Sequence, residues 1–181
     1  VGYGGYYYDG RWVGISERAI QLFDLSPGDR VLDIGCGKGF FVYDLVKSFQ
    51  IDAYGLDIST YALKEATLEI QGRLQRHDMR AQLNFPDDFF DAVFCINTLH
   101  NLDRLEASFS VSEMIRVVKK KENIFIQVDS YKNPEDLEIF EKWVLTAKLY
   151  MPPDDWLEFL ADCGYKGAYY WTVLLGDGSV E

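Results

Sequence analysis

The chain has 181 residues, 48% hydrophobic and 15% aromatic, so it is long enough for one domain whose core needs neither metal nor disulfides. Eighteen basic against 29 acidic residues give a net charge of −11, which argues against a nucleic-acid partner because such proteins present a basic face. The three cysteines lack metal-pair spacing and no apolar run suits a membrane span, so we expect a cytoplasmic protein with free thiols.

The chain begins with a segment that has no helical or strand period and is rich in glycine. Its aromatic residues are Tyr3, Tyr6, Tyr7, Tyr8 and Trp12. We interpret residues 1–14 as an N-terminal aromatic arm and residues 15–181 as the main domain. The arm either forms a lid over a ligand or packs on a sheet edge or a partner chain, and the second alternative leaves a homodimer open.

From residue 15 onward, helical and strand patterns alternate. In chain order we predict helix 15–25, strand 31–34, helix 39–49, strand 52–57, helix 59–71, strand 75–78, strand 90–96, helix 104–120, strand 123–128, helix 134–149, helix 153–163 and strand 165–174. This alternation predicts an α/β fold of the Rossmann-like, doubly wound type, with a mostly parallel sheet and helices on both faces.

A glycine-rich turn, with Gly35, Gly37 and Gly39, joins the first strand of the sheet to the next helix. Ligands of parallel sheets bind at the carboxyl ends of the strands, and glycines let the backbone approach them closely. A dinucleotide fingerprint would have its third glycine at position 40, where Phe40 stands, so the segment argues against a pyrophosphate ligand. A glycine turn without any ligand is the alternative.

Acidic residues end the next two predicted strands. Asp57 follows the glycines by about 20 residues, where a carboxylate can accept hydrogen bonds from both ribose hydroxyls. The alternative role for Asp57 is to cap the next helix, although Ser59 is better placed for that. Asp78 and Met79 end the third strand, where they form either an adenine site or an ordinary loop.

These motifs, together with Leu83–Val93, resemble one known family. The chain is similar to class I methyltransferases that depend on S-adenosylmethionine (SAM), nearest the broad type related to ubiquinone and menaquinone biosynthesis (methyltransferase type 11). The resemblance covers about residues 27–130 and is specific for the cofactor but not for the acceptor.

The resemblance implies that SAM is the cofactor and that the ends of the first four strands hold it. By similarity, the methionine part of SAM lies against Gly35, Gly37, Gly39 and Asn97, with Asp33 ordering the loop. The nucleoside contacts by similarity are Asp57 at the ribose, Asp78 at the adenine amino group, and Ile58 and Met79 against the adenine ring.

Two features depart from the family pattern. The family usually has a Pro-Gly-Gly turn before its fifth strand, and Lys119–Asn123 stands there instead. The family also ends in an antiparallel hairpin, whereas only one strand, 165–174, is evident here. Either the C-terminal antiparallel part is abbreviated or the chain is truncated.

Methyl transfer needs alignment of the acceptor more than it needs a catalytic base, because SAM supplies the leaving group. His100, Asp129 and Tyr131 follow the fourth and fifth strands and are the candidate catalytic residues. The alternatives are that His100 orders its turn and that Asp129 and Tyr131 serve capping and packing.

We expect a methyltransferase for a small-molecule acceptor, such as a sugar or another secondary metabolite, with no metal and no membrane partner. Two other classes stay open. The chain could be a SAM-binding domain that acts through partners without transferring methyl groups, or a methyltransferase for protein or RNA.

Overall fold

The computed structural model describes residues 7–144 and 146–173 and shows a six-stranded sheet with helices on both faces. The strands are β1 Arg30–Ile34, β2 Asp52–Asp57, β3 Leu74–Arg76, β4 Ala92–Ile96, β5 Ile124–Ser130 and β6 Ala168–Val173. Their order is β3-β2-β1-β4-β5-β6, and each neighbouring pair is parallel. The predicted Rossmann-like fold class is therefore confirmed. The strand order reverses between β1 and β4, which places the expected ligand edge there.

The helices are α1 Arg11–Phe23, α2 Phe40–Phe49, α3 Thr60–Lys64, α4 Arg104–Val117, α5 Pro134–Trp143 and α6 Pro153–Asp162. Two hydrophobic clusters cover the two faces of the sheet. Successive residues of β1 alternate between them, because Val31 packs with α1 and α2 whereas Leu32 packs with α4 and α6. Alternation of side chains along buried strands thus gives the sheet its two layers of helices.

Two helices in the N-terminal half differ from their predicted bounds. Helix α1 begins at Arg11 rather than at residue 15, since Gly10 adopts a left-handed conformation that starts it. Trp12, predicted to belong to the arm, packs on Phe41 in the core. The predicted helix 59–71 is wrong beyond Lys64, because the chain turns and buries Ile70 instead.

The C-terminal part also differs from prediction. Helix α5 ends at Trp143 instead of continuing to residue 149, because the backbone N–H groups of Lys148 and Leu149 bond to the carbonyl of His100. Strand β6 pairs parallel to β5, and the sheet has no antiparallel strand within 7–144 and 146–173. Position 174 of the predicted strand lies outside the described residues. In the described part of the chain, no helix is both long and apolar enough to cross a bilayer.

Candidate functional site

The glycine turn lies where the strand order reverses, and it is hydrogen-bonded to the neighbouring strand β2. The N–H groups of Gly35 and Cys36 both donate to the carbonyl of Leu56, at 2.7 and 3.0 Å. A Cβ on Gly35 would lie 2.0 Å from Oγ1 of Thr98, and its φ is +81°. Only glycine fits this position, because a side chain would meet both a steric overlap and an unfavourable backbone conformation.

Gly37 presents an open face instead. Its φ is +56°, and apart from Gly37 and its two chain neighbours no heavy atom of the described residues lies within 4 Å of the place that a Cβ would occupy. Its N–H donates to Oδ2 of Asp57 at 2.7 Å, which fixes the peptide's orientation. The backbone at Gly37 is therefore both rigid and accessible, as a ligand that approaches the main chain requires.

Asp57 ends β2 beside this turn. Its two carboxylate oxygens accept one N–H each, from Gly37 and from Ser59, both at 2.7 Å. An ionised carboxylate has about four lone-pair sites, so each oxygen keeps one for a ligand. The Ser59 side chain caps α3 by accepting the N–H of Ala62, which leaves Asp57 free of that task.

A cavity of about 330 Å³ lies beside the turn. Five of the nine predicted cofactor residues line it, namely Gly35, Asp57, Ile58, Asp78 and Met79. Its other lining residues, none of them predicted from the sequence, include Arg80, Thr98, Asn101, Leu102 and Lys148. Thr98, Asn101 and Leu102 follow the fourth strand, so their place in the sequence could have indicated them. Nothing in the sequence indicated Lys148, because its place depends on the bond to the distant His100 carbonyl.

The remaining four predicted residues lie around the same edge. Gly37 and Gly39 belong to the turn, and Asn97 follows β4 with a positive φ of 52°, which asparagine tolerates. Asp33 is buried near the end of β1, and burial together with the negative charge of Asp57 raises the pKa of Asp33 to about 8. The edge thus combines an open backbone with the carboxylate of Asp57 and with a buried Asp33 that is protonated at neutral pH.

The cavity's surroundings fit an adenosine-type ligand. Oδ1 of Asn101 is buried and has no hydrogen-bond partner among the described residues, and it belongs to the cavity wall. Met79 and Leu102 supply apolar surface, and the carbonyl of Met79 is fixed by the Ser110 hydroxyl at 2.8 Å. A mostly apolar pocket with a few placed polar groups is typical of small-molecule sites.

His100 and Asp129 lie beside each other, and neither is among the residues that line the cavity. The backbone N–H of Asp129 donates to Nδ1 of His100 at 3.2 Å, which leaves the imidazole proton on Nε2, 3.8 Å from Oδ2 of Asp129. Burial lowers the pKa of His100 to about 4 and raises that of Asp129 to about 6. This geometry favours the turn-ordering role of His100, since its basic nitrogen is already occupied.

Tyr131 is not brought to that pair. Its ring packs near Phe140 of α5, with 6.1 Å between ring centroids, and it is half-buried. Burial and nearby acidic groups raise the pKa of its hydroxyl, so the hydroxyl stays protonated at neutral pH. The contacts of Tyr131 are those of a packing residue.

The described part of the arm reaches the start of α2. The hydroxyl of Tyr8 donates to Oδ1 of Asp44 at 2.5 Å, and its ring meets Phe40 and Tyr43 edge-on, with centroids 5.8 and 5.2 Å away. Phe40 directly follows the glycine turn, so the chain at Tyr8 lies near the ligand edge. Tyr3, Tyr6 and the other residues before position 7 lie outside the described residues.

Comparison with known proteins places this arrangement in a family. A family model described as "Methyltransferase domain" matches residues 32–126. A solved SAM-dependent methyltransferase from Archaeoglobus fulgidus is 26% identical, with a TM-score of 0.65, over 84% of this chain and 66% of that one.

Two curated relatives show how far the similarity extends. Phosphoethanolamine N-methyltransferase 3 of Arabidopsis thaliana is 30% identical over 99 residues, 52% of this chain and 20% of that protein. Uncharacterized protein MJ0638 of Methanocaldococcus jannaschii is 33% identical over 150 residues, 83% of this chain and 60% of that protein. The chain therefore spans only part of the length of these relatives.

Proposed function

The chain belongs to the methyltransferase-domain family, whose cofactor is SAM, and from this premise we propose that it transfers a methyl group from SAM to a small-molecule acceptor. The observation that supports the proposal most is the open face of Gly37 beside the fixed carboxylate of Asp57. A ribose and a methionyl chain need these two features next to each other.

We assign the cofactor contacts as follows. Asp57 accepts hydrogen bonds from the ribose hydroxyls through its two remaining lone-pair sites. Ile58 and Met79, which line the cavity, pack against the adenine ring. The methionine end lies along the glycine turn, near Asp33 and Asn97.

When bound, SAM supplies a methyl group on a positively charged sulfur, ready for displacement. The chain's own task is to hold the acceptor in line and to exclude water. His100 is neutral and its Nδ1 accepts a backbone N–H, so we propose that it orders the loop after β4 rather than takes a proton. Asp129 and Tyr131 support the same edge by packing.

The acidic balance of the chain supports a small acceptor rather than RNA. Methyl transfer is tested by incubating the protein with SAM and either fractionated small metabolites, protein or RNA, and by measuring S-adenosylhomocysteine formed. We expect turnover with a metabolite fraction. Turnover only with protein or RNA would support that acceptor class, and binding without turnover in any fraction would support a domain that acts through partners.

We expect SAM affinity to rise with pH across the range in which Asp33 ionises. The folded protein holds Asp33 protonated up to a pKa of about 8, so a cationic ligand must displace that proton at lower pH but not above it. Calorimetry at several pH values, in buffers of different ionisation enthalpy, measures both the affinity and the released proton. The variant Asp33→Asn should release no proton from this position. The pH dependence that remains in this variant measures the titration of SAM itself and can be subtracted. If the affinity of the wild type for SAM does not change with pH, Asp33 takes no part in SAM binding.

We also propose that the arm covers the bound cofactor, which is supported by the Tyr8 contacts beside the glycine turn. Deleting residues 1–8, which removes Tyr8, should leave a folded domain, because Trp12 and the rest of α1 stay in place. The deletion should weaken SAM binding several-fold, as measured by calorimetry. A truncated chain that binds SAM as tightly as the full chain would instead assign the arm to a partner.

A further inference from the structure

Three aromatic rings meet where the chain leaves β5. The ring centroid of Phe140 lies 6.1 Å from that of Tyr131 and 5.5 Å from that of Tyr150, and both pairs of rings are tilted. Phe140 is buried, whereas Tyr131 and Tyr150 are partly exposed and keep ring surface that a ligand can reach. We call Tyr131, Phe140 and Tyr150 the ring cluster.

Two carboxylates lie beside the ring cluster. The hydroxyl of Tyr150 donates to Oε1 of Glu141 at 3.3 Å. Burial raises the pKa of the Tyr131 hydroxyl, and the negative charges of Asp155 and Glu141 raise it further. Asp155 belongs to the first turn of α6, so α5 and α6 each bring an acidic residue to these rings.

Asp136 adds a buried carboxylate. It precedes Phe140 by four residues in α5 and both are buried, so the two side chains are neighbours on one face of the helix. Asp136 is 4% exposed, and its Oδ2 has no hydrogen-bond partner among the described residues. A buried carboxylate oxygen without a donor is unfavourable, which indicates that a ligand supplies one.

No cation of the chain neutralises these groups. Within the ranges 7–144 and 146–173, no basic side chain lies within 4 Å of the carboxylate oxygens of Asp136, Glu141 or Asp155. Lys148, which is close in sequence, lies 4.0 Å from Oε2 of Glu106 in α4 instead. The ring cluster therefore has a negative surrounding.

The ring cluster borders the cofactor cavity. Tyr131 directly follows β5, at the carboxyl edge of the sheet. Lys148, two residues before Tyr150, lines the cavity and is held there by its N–H, which donates to the carbonyl of His100 at 2.9 Å. A ligand bound at the ring cluster can therefore extend toward the cofactor.

Aromatic faces attract cations within about 6 Å, and carboxylates form charge-assisted hydrogen bonds with ammonium groups. A phosphate or carboxylate group would be repelled by the same acidic residues. We propose that the methyl acceptor is a small cationic amine, whose ammonium group is held by the ring cluster together with Asp136, Glu141 and Asp155.

This inference rests on the proposed function and narrows its acceptor class. It adds a binding role to the packing role of Tyr131. The ammonium group is an anchor, because it has no lone pair and cannot take the methyl group while it is protonated.

Tetramethylammonium is the probe for the site, and its binding is followed by saturation-transfer NMR with S-adenosylhomocysteine present. The wild type should bind it at least about tenfold more tightly than neopentyl alcohol, a neutral molecule of similar shape. Tyr150→Leu should raise the Kd about three- to fivefold because one ring is lost, whereas Tyr150→Phe should stay within about twofold. Glu141→Gln combined with Asp155→Asn should raise the Kd about tenfold.

Two variants at other places are the matched controls. Tyr170→Leu removes an exposed ring of β6, and Glu122→Gln removes an exposed acidic residue before β5, at the opposite edge of the sheet. Both should leave the Kd unchanged. Equal binding of tetramethylammonium by the wild type and Tyr150→Leu, equal binding of the neutral molecule, or no binding of tetramethylammonium would overturn the inference.

Turnover separates this inference from the proposed function. Small metabolites are divided by a cation exchanger at neutral pH, and S-adenosylhomocysteine should form with the retained fraction. Formation with the unretained fraction alone would overturn the inference and leave the proposed function intact. Formation with neither fraction would contradict the proposed function itself.

Discussion

Replacing Gly37 with alanine is expected to weaken SAM binding strongly while the domain stays folded. The new Cβ would project into space that no described residue occupies within 4 Å, so the protein itself tolerates it. The left-handed conformation at φ +56° costs an alanine roughly 1 kcal/mol, which lowers the melting temperature by about 2–4 °C. A ligand that approaches the Gly37 backbone would collide with the methyl group, and we expect its affinity to fall at least about a hundredfold.

Two other glycines are the controls for this prediction. Gly164 has a φ of +71° and equally open space, but it lies after α6 and before β6, at the opposite edge of the sheet. Gly164→Ala should lower stability similarly without affecting SAM. Gly35→Ala should destabilise the fold itself, by roughly 2–5 kcal/mol, because of overlap with Thr98 as well as backbone strain. Unchanged SAM affinity in Gly37→Ala would mean that the ligand does not touch this turn.

Asp57→Ala is expected to weaken SAM binding at least about tenfold, since a charge-assisted hydrogen bond contributes roughly 1.5–3 kcal/mol. The loss combines two effects, because the same carboxylate also fixes the N–H of Gly37 at 2.7 Å. Thermal melting establishes that the variant is folded, and calorimetry gives its Kd.

Asp52→Ala is the matched variant for this experiment. Asp52 begins the strand that Asp57 ends, and it bonds to Arg73 and Tyr54 rather than to the glycine turn. The Asp52→Ala substitution should lower the free energy of unfolding but leave the affinity for SAM unchanged. If Asp57→Ala folds and keeps the wild-type Kd, Asp57 serves only the end of its strand.

The fold and half of the site follow from local sequence pattern. Alternating apolar runs place the strands within a few residues, and the carboxyl end of β2 was predicted at Asp57 without error. Met79 was predicted from its place near the end of the third strand, and Ile58 from the family resemblance; both line the cavity. In a parallel sheet, residues at strand ends meet at one edge whatever the crossovers do.

The rest depends on contacts between distant segments, which no local pattern contains. Helix periodicity continues beyond Trp143, but bonds to the His100 carbonyl draw residues 148 and 149 away from a helix. The engagement of Asp78 depends on Arg80 two residues later and on Glu106 at the start of α4. Likewise, the burial that makes His100 a poor base becomes visible only once Asp129 lies beside it.

Calorimetric titration of the full chain with SAM, S-adenosylhomocysteine and NAD tests the central claim most directly. Phe40 stands where a dinucleotide site needs its third glycine, and Asp57 is fixed beside the open backbone of Gly37. The account predicts saturable binding of SAM and S-adenosylhomocysteine with micromolar-scale Kd values and no heat from NAD. Tight binding of NAD together with no response to SAM would contradict it.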